Sequence, residues 1–196
     1  MSSKKEKLPP NQVPIKRLLK WGTDHPAITS KIPKISLDTW ALVVGGEVKK
    51  PLRLDWNEIA TLPKTKSISN FHCVEGWSVL DCEWEGIRFR TIVNLAEPLN
   101  SAKYVTFEGA DGYTTSLTLE ELSKDNVLLA YTLNGKPLEE GYGFPLRLVV
   151  PDKYAYKSIL WLTQIKFTSK KELGYWESRG YSDTAHIWND DRFAKQ

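Results

Sequence analysis

Cys73 is one of only two cysteines in the chain and sits in the run Phe71-His72-Cys73-Val74-Glu75-Gly76-Trp77-Ser78. A thiolate prefers thiophilic metals, whereas Mg²⁺ and Ca²⁺ are held by oxygen. A structural zinc site takes about four protein ligands at close spacings. This chain offers only Cys73, Cys82 and the scattered His25, His72 and His186. A metal on Cys73 would therefore take most of its other ligands from a cofactor. A second reading makes Cys73 a nucleophile activated by His72. Adjacent strand residues point to opposite faces, however, and no third orienting group is identifiable.

The elements that must position these residues follow from the hydrophobic pattern. Residues 1–20 are Lys-rich and carry Pro9, Pro10 and Pro14, which predicts a mobile basic arm with a short helix near Ile15–Lys20. One packed domain is expected over 21–196. Trp40 to Val48 reads as a strand, a glycine turn and a return, and Leu54 to Ile59 as a short helix. Ser67 to Cys73 alternates as a strand, leaving Cys73 where the strand gives way to a loop containing Gly76. Trp84 to Phe89 reads as a turn into a strand, and Thr91 to Ala96 as a short helix. Tyr104 to Glu108 and Tyr113 to Leu117 bracket a glycine-rich turn. Thr118, with Glu121 three residues on, caps a helical turn over Leu119–Leu122. Val127 to Leu133 runs into the turn signal Asn134-Gly135, and Leu146–Val150 and Ile159–Phe167 supply further strands. The fold class is α+β: mostly β, in mixed sheets with short helices and no regular βαβ alternation.

Composition narrows the function classes. Hydrophobic residues at 41% and charged residues at 26% are ordinary for a globular chain. The eight tryptophans imply large rings in the core or around a cleft. The net charge of +3 comes with no strongly basic face and no nucleic-acid reading motif, so a nucleic-acid partner is not expected. No apolar run reaches the roughly 18 residues of a membrane-spanning helix. With two cysteines and no visible signal segment, a cytoplasmic location is expected, although a removed signal would leave the same appearance.

Several separated pieces resemble, in order, the molybdopterin-binding domain of the sulfite oxidase family. They are Trp40 to Gly46, Phe71 to Ser78, Leu133-Asn134-Gly135-Lys136-Pro137-Leu138, Gly141-Tyr142-Gly143-Phe144-Pro145-Leu146-Arg147 through Pro151, and Lys157-Ser158-Ile159-Leu160-Trp161-Leu162. The resemblance implies a molybdenum held by one pterin dithiolene, with Cys73 as a protein ligand. It implies that Arg147 reaches the anionic part of molybdopterin, a task suited to a planar guanidinium. Lys157, Ser158 and Ile159 match the segment that approaches the cofactor through backbone amides and a cationic side chain. Tyr113 aligns with a tyrosine near molybdenum and could donate a hydrogen bond there. His72 is expected at the cofactor's edge, and Lys20 or His25 at the substrate mouth. Cys82 lies outside the motif and reads as a small, half-buried hydrophobe.

Departures matter as much. Tyr142 and Leu160 stand where some members have other hydrogen-bonding residues, and Tyr142 is expected to bind the cofactor by donating through its hydroxyl. Val74-Glu75-Gly76-Trp77, bulky and acidic, follows Cys73 where sulfite oxidases carry basic residues, so an anion pocket for sulfite is in doubt. The expected activity is two-electron oxygen-atom transfer on a small sulfur-containing or similar oxyanion substrate, with the direction open. No haem module precedes the domain and no dimerisation domain follows it, so a separate electron-transfer protein and a monomer are expected. A pterin-binding module without turnover remains the alternative.

Overall fold

In the computed structural model, which describes residues 7–29 and 31–195, three short helices interrupt a series of eleven strands. In order they are β1 (Val13–Pro14), β2 (Ala41–Gly46), β3 (Leu52–Asp55), α1 (Trp56–Thr61), β4 (Lys64–His72), β5 (Trp77–Arg88) and α2 (Phe89–Ala96). There follow β6 (Tyr104–Gly109), β7 (Thr114–Thr118), α3 (Leu119–Leu122), β8 (Leu128–Leu133), β9 (Lys136–Pro137), β10 (Arg147–Val149) and β11 (Leu162–Thr168). Four single turns of 3₁₀ helix complete the set. The result is a mostly β α+β fold of two mixed sheets, in agreement with the sequence. No helix among the described residues is long and apolar enough to cross a membrane.

One sheet runs β3-β2-β11-β6-β7, with β2 and β11 parallel and its other pairs antiparallel. Period-two alternation sends Leu42 and Val44 of β2, Val105 and Phe107 of β6, and Ile165 and Phe167 of β11 into the main core. The other sheet runs β1-β5-β8-β10, with β4 beside β5 and β9 beside β8. Its face buries Phe71, Trp77, Val79, Trp84, Leu128 and Val149 with Cys73 in a second core.

Local chemistry sets the helix ends. Asp55 caps α1 and Thr118 caps α3, each in a capping box closed by a glutamate three residues on. The α3 box was fully legible in the sequence. Two expectations need correction. Trp84 to Phe89 is not a turn into a new strand, because β5 runs unbroken through Trp84–Arg88 and Phe89 opens α2. Gly86 sits at a register shift opposite Leu129 and Ala130, where an added Cβ would lie 2.1 Å from the Leu129 carbonyl oxygen. No helix forms over Ile15–Lys20 either. Val13–Pro14 instead pairs in parallel with Trp77–Ser78, and Leu18 is buried in the second core, so apolar contact fixes this stretch to the domain. Residues 1–6 of the expected arm lie outside the described residues.

Candidate functional site

A cavity of about 420 Å³ opens at the junction of the two sheets, a size ordinary for a small-molecule or cofactor site. Cys73 reaches it from just beyond the end of β4. The backbone N–H of Cys73 donates to the Trp77 carbonyl (2.8 Å), and Gly76, at φ +101°, donates back to the Cys73 carbonyl (3.1 Å). The thiol is therefore carried on a tight loop closed onto the start of β5. Burial pushes it up to about 12, so without a metal Cys73 is a neutral thiol.

The loop is braced from both ends of the chain. Gln12 donates from Nε2 to the Cys73 carbonyl (3.0 Å) and accepts at Oε1 from Ser78 Oγ (2.8 Å). Arg192 Nη1 donates to the Val74 carbonyl. His72 does not face the cavity. Its Nδ1 lies 2.7 Å from Ser78 Oγ, and because the Ser78 proton goes to Gln12, Nδ1–H must be the donor in that contact. Burial lowers His72 to about 4 and keeps it neutral. His72 therefore does not activate Cys73, and the thiol-enzyme reading loses its base.

Arg147 opens β10 and is 1% exposed, yet it borders the cavity. Its Nη1 donates to the Tyr142 carbonyl and its Nη2 to the Ser158 carbonyl, both at 3.1 Å, and its plane lies near the rings of Phe71 (5.1 Å) and Trp84 (5.2 Å). Nε has no partner. Among the described residues no carboxylate pairs with this cation. Burial alone lowers it to about 9. A buried cation with no counter-ion beside an open cavity calls for an anion there. Gly143 makes the approach possible, because a Cβ at its φ of +98° would lie 2.8 Å from Leu160 and 3.1 Å from the Arg147 side chain.

The remaining expected residues divide. Ser158 and Ile159 line the cavity, and Ser158 Oγ accepts from Val150 N (3.0 Å). Tyr113 lines it too, but its hydroxyl proton goes to the Tyr156 carbonyl (2.6 Å), so it has no proton left to donate into the cavity. Tyr142 does not line the cavity, and its hydroxyl donates to the Leu18 carbonyl (3.2 Å). Lys157 points away into the core. Its Nζ is paired with Glu177 Oε1 at 2.5 Å and donates to the Ser116 carbonyl at 3.0 Å. The cationic approach expected of Lys157 is thus spent on anchoring the C-terminal tail. Lys20 pairs with Glu139 at 2.6 Å and stays outside, whereas His25 is at the mouth. Cys82 is fully buried rather than half-buried, and it too is pushed up to about 12 by burial.

Three groups of residues went unassigned in the sequence. Glu75 Oε2 accepts from Trp77 Nε1 (3.2 Å) and lies 3.0 Å from His25 Nε2. Its place two residues after Cys73 was the available signal. The rings of Trp21, Tyr175, Trp176 and Tyr181 form much of the wall, with Trp21 stacked on His25 at 4.7 Å. The density of rings over 175–181 hinted at this. Trp161 also lines the cavity at φ +49°, a strained conformation for a bulky residue, held by Nε1 donating to the Glu140 carbonyl (2.7 Å).

A family profile described as "Oxidoreductase molybdopterin binding domain" matches residues 29–176. The chain is 36% identical over 194 residues to the "Uncharacterized oxidoreductase YuiH" of Bacillus subtilis, covering 98% of this chain and 94% of that one. It is 31% identical over 180 residues to the "Protein-methionine-sulfoxide reductase catalytic subunit MsrP" of Campylobacter jejuni, covering 83% of this chain and 60% of the relative. In fold it is similar to the sulfane dehydrogenase SoxCD of Paracoccus pantotrophus, with a TM-score of 0.69 at 22% identity over 79% of this chain and 43% of that one.

Proposed function

This chain belongs to the oxidoreductase molybdopterin-binding family, and from that premise we propose that it reduces a small, uncharged sulfoxide to its thioether. As a member it is a molybdopterin-dependent oxidoreductase, a sulfite oxidase-like catalytic domain whose cofactor is molybdopterin with molybdenum. The carrier without turnover is set aside on that ground. The balance of the reaction is one sulfur–oxygen bond broken, two electrons and two protons taken up, and one water released.

The residues present fit the cofactor. The observation that carries the reading is that a thiol and a buried guanidinium without a counter-ion border the same cavity. Cys73 would ligate molybdenum, giving up its proton on binding, since a thiolate suits an oxidised, thiophilic centre. Arg147 would bind the anionic end of the pterin, with backbone groups of Ser158 and Ile159 alongside. When bound, the cofactor supplies a centre that takes up or releases an oxygen atom with two electrons. The protein's share is to orient, to exclude water with the aromatic wall, and to choose the substrate.

The substrate class rests on charge. Glu75, half-exposed at the mouth, stands where an anion would have to pass, which disfavours sulfite and favours an uncharged sulfur compound. The similarity to a methionine-sulfoxide reductase supports the same direction. Electrons would come from a separate electron-transfer protein. The test compares wild type with Cys73→Ala for molybdenum content by mass spectrometry and for sulfoxide-dependent oxidation of a reduced dye. Molybdenum and turnover lost together support the reading. Full molybdenum in Cys73→Ala, or a loaded wild type reoxidised by no sulfoxide, would sink it.

A further inference from the structure

His25 and Glu75 present two acceptors to each other. The Nδ1 of His25 lies 3.0 Å from the Pro26 carbonyl, which can only accept, so Nδ1 carries a proton. In the neutral ring this leaves a lone pair on Nε2, aimed at Glu75 Oε2 3.0 Å away. Two lone pairs at that separation repel unless something positive lies between them, either a shared proton or a metal ion. The Cys73 thiol supplies a third donor, with Sγ 3.9 Å from the same Glu75 oxygen and all three ligand atoms within 4.8 Å of one another. Ligands about 2.0–2.3 Å from a tetrahedral Zn²⁺ stand roughly 3.3–3.7 Å apart. The triad is already near that spacing.

We propose that the cofactor-free protein binds one Zn²⁺ through Cys73 Sγ, His25 Nε2 and Glu75 Oε2, with the fourth position open to the cavity. The supporting contacts are of the kind metal sites use. The His25 Nδ1–H bond to a backbone carbonyl fixes the tautomer and ring, and Trp77 Nε1 steadies the carboxylate. Glu75 is 55% exposed, so an ion has a way in. One sulfur, one nitrogen and one oxygen suit a borderline ion and not Mg²⁺ or Ca²⁺. Binding exchanges the Cys73 proton for the metal and releases it to solvent. The zinc site goes beyond the proposed function and does not depend on it. Only one consequence rests on that reading: because Cys73 would serve both metals, zinc and the molybdenum cofactor exclude each other.

Calorimetric titration of purified cofactor-free protein with zinc sulfate near neutral pH tests the assignment. We expect one equivalent, proton release, no response to magnesium, and at least tenfold weaker binding in each of Cys73→Ser, His25→Ala and Glu75→Gln. Removing His186 should change nothing. Equal affinity in all variants, or no zinc binding at all, would overturn the site and leave a proton between His25 and Glu75. If a variant folds poorly, cobalt(II) on wild type gives the same decision. A thiolate-to-cobalt charge-transfer band supports the site, and one bound cobalt without that band overturns it. Zinc lost but molybdenum retained in Cys73→Ser would keep this site and reject Cys73 as the molybdenum ligand.

Discussion

The ammonium of Lys157 and the carboxylate of Glu177 meet at 2.5 Å with neither side chain exposed to solvent. Glu177 Oε1 also accepts from Thr115 Oγ1 (2.6 Å). The pair fastens the tail that carries Tyr175, Trp176 and Tyr181 against β7. Losing one partner of a buried pair strands the other charge, at a cost of about 3–5 kcal/mol. Glu177→Gln or Lys157→Met should each lower the denaturation midpoint in urea accordingly. Lys157→Met combined with Glu177→Leu should recover much of the loss, which a double-mutant cycle will show.

Arg147 should behave in the opposite way. In Arg147→Met the relief of a buried, unpaired cation offsets two charge-assisted hydrogen bonds worth about 1.5–3 kcal/mol each. The stability of the cofactor-free protein should therefore change little. Cofactor retention should fall roughly tenfold or more, since a bond from a charged donor to an anion contributes about 1.5–3 kcal/mol. Thermal denaturation and molybdenum content, measured on the same preparations, separate the two effects.

His72 makes stability depend on acidity. Its folded value of about 4 lies below the ordinary 6.5, so the unfolded chain binds the extra proton first. Stability is then full above about 6.5 and declines as pH falls towards 4. The decline is bounded by about 3 kcal/mol for a difference of this size. Urea melts of cofactor-free protein across this window should show that slope, and His72→Gln should flatten it.

Glu75 sets the sign of the mouth. Replacing a carboxylate by a cation about 4 Å from an incoming anion changes their interaction by roughly 2 kcal/mol even at the dielectric of water, twice the value for one unit pair. Glu75→Lys should lower KM for sulfite at least tenfold while leaving kcat/KM for an uncharged sulfoxide within a few-fold. Steady-state kinetics with both substrates at one ionic strength decides this.

What could be read from the chain depended on whether the decisive contact was local. The α3 capping box needs only Thr118 and Glu121, and the strand before Cys73 only its own alternation. The fate of Lys157 was hidden because its partner lies 20 residues away and nothing in the sequence says which anion a buried ammonium meets. Gly86 looked like a turn because a glycine dictated by close approach of a neighbouring strand cannot be told from one dictated by a turn. His25 was visible as a candidate at the mouth, but its alliance with Glu75 spans 50 residues and exists only once the sheets close.

The brace on the Cys73 loop has a consequence for biosynthesis. Arg192 holds the Val74 carbonyl across 118 residues of sequence, and Glu177 secures the aromatic wall from the same late part of the chain. A ribosome-bound chain lacking these residues presents an unsupported loop and half a cavity. The cavity is therefore complete only once residues 175–192 have been made and have packed onto the two sheets.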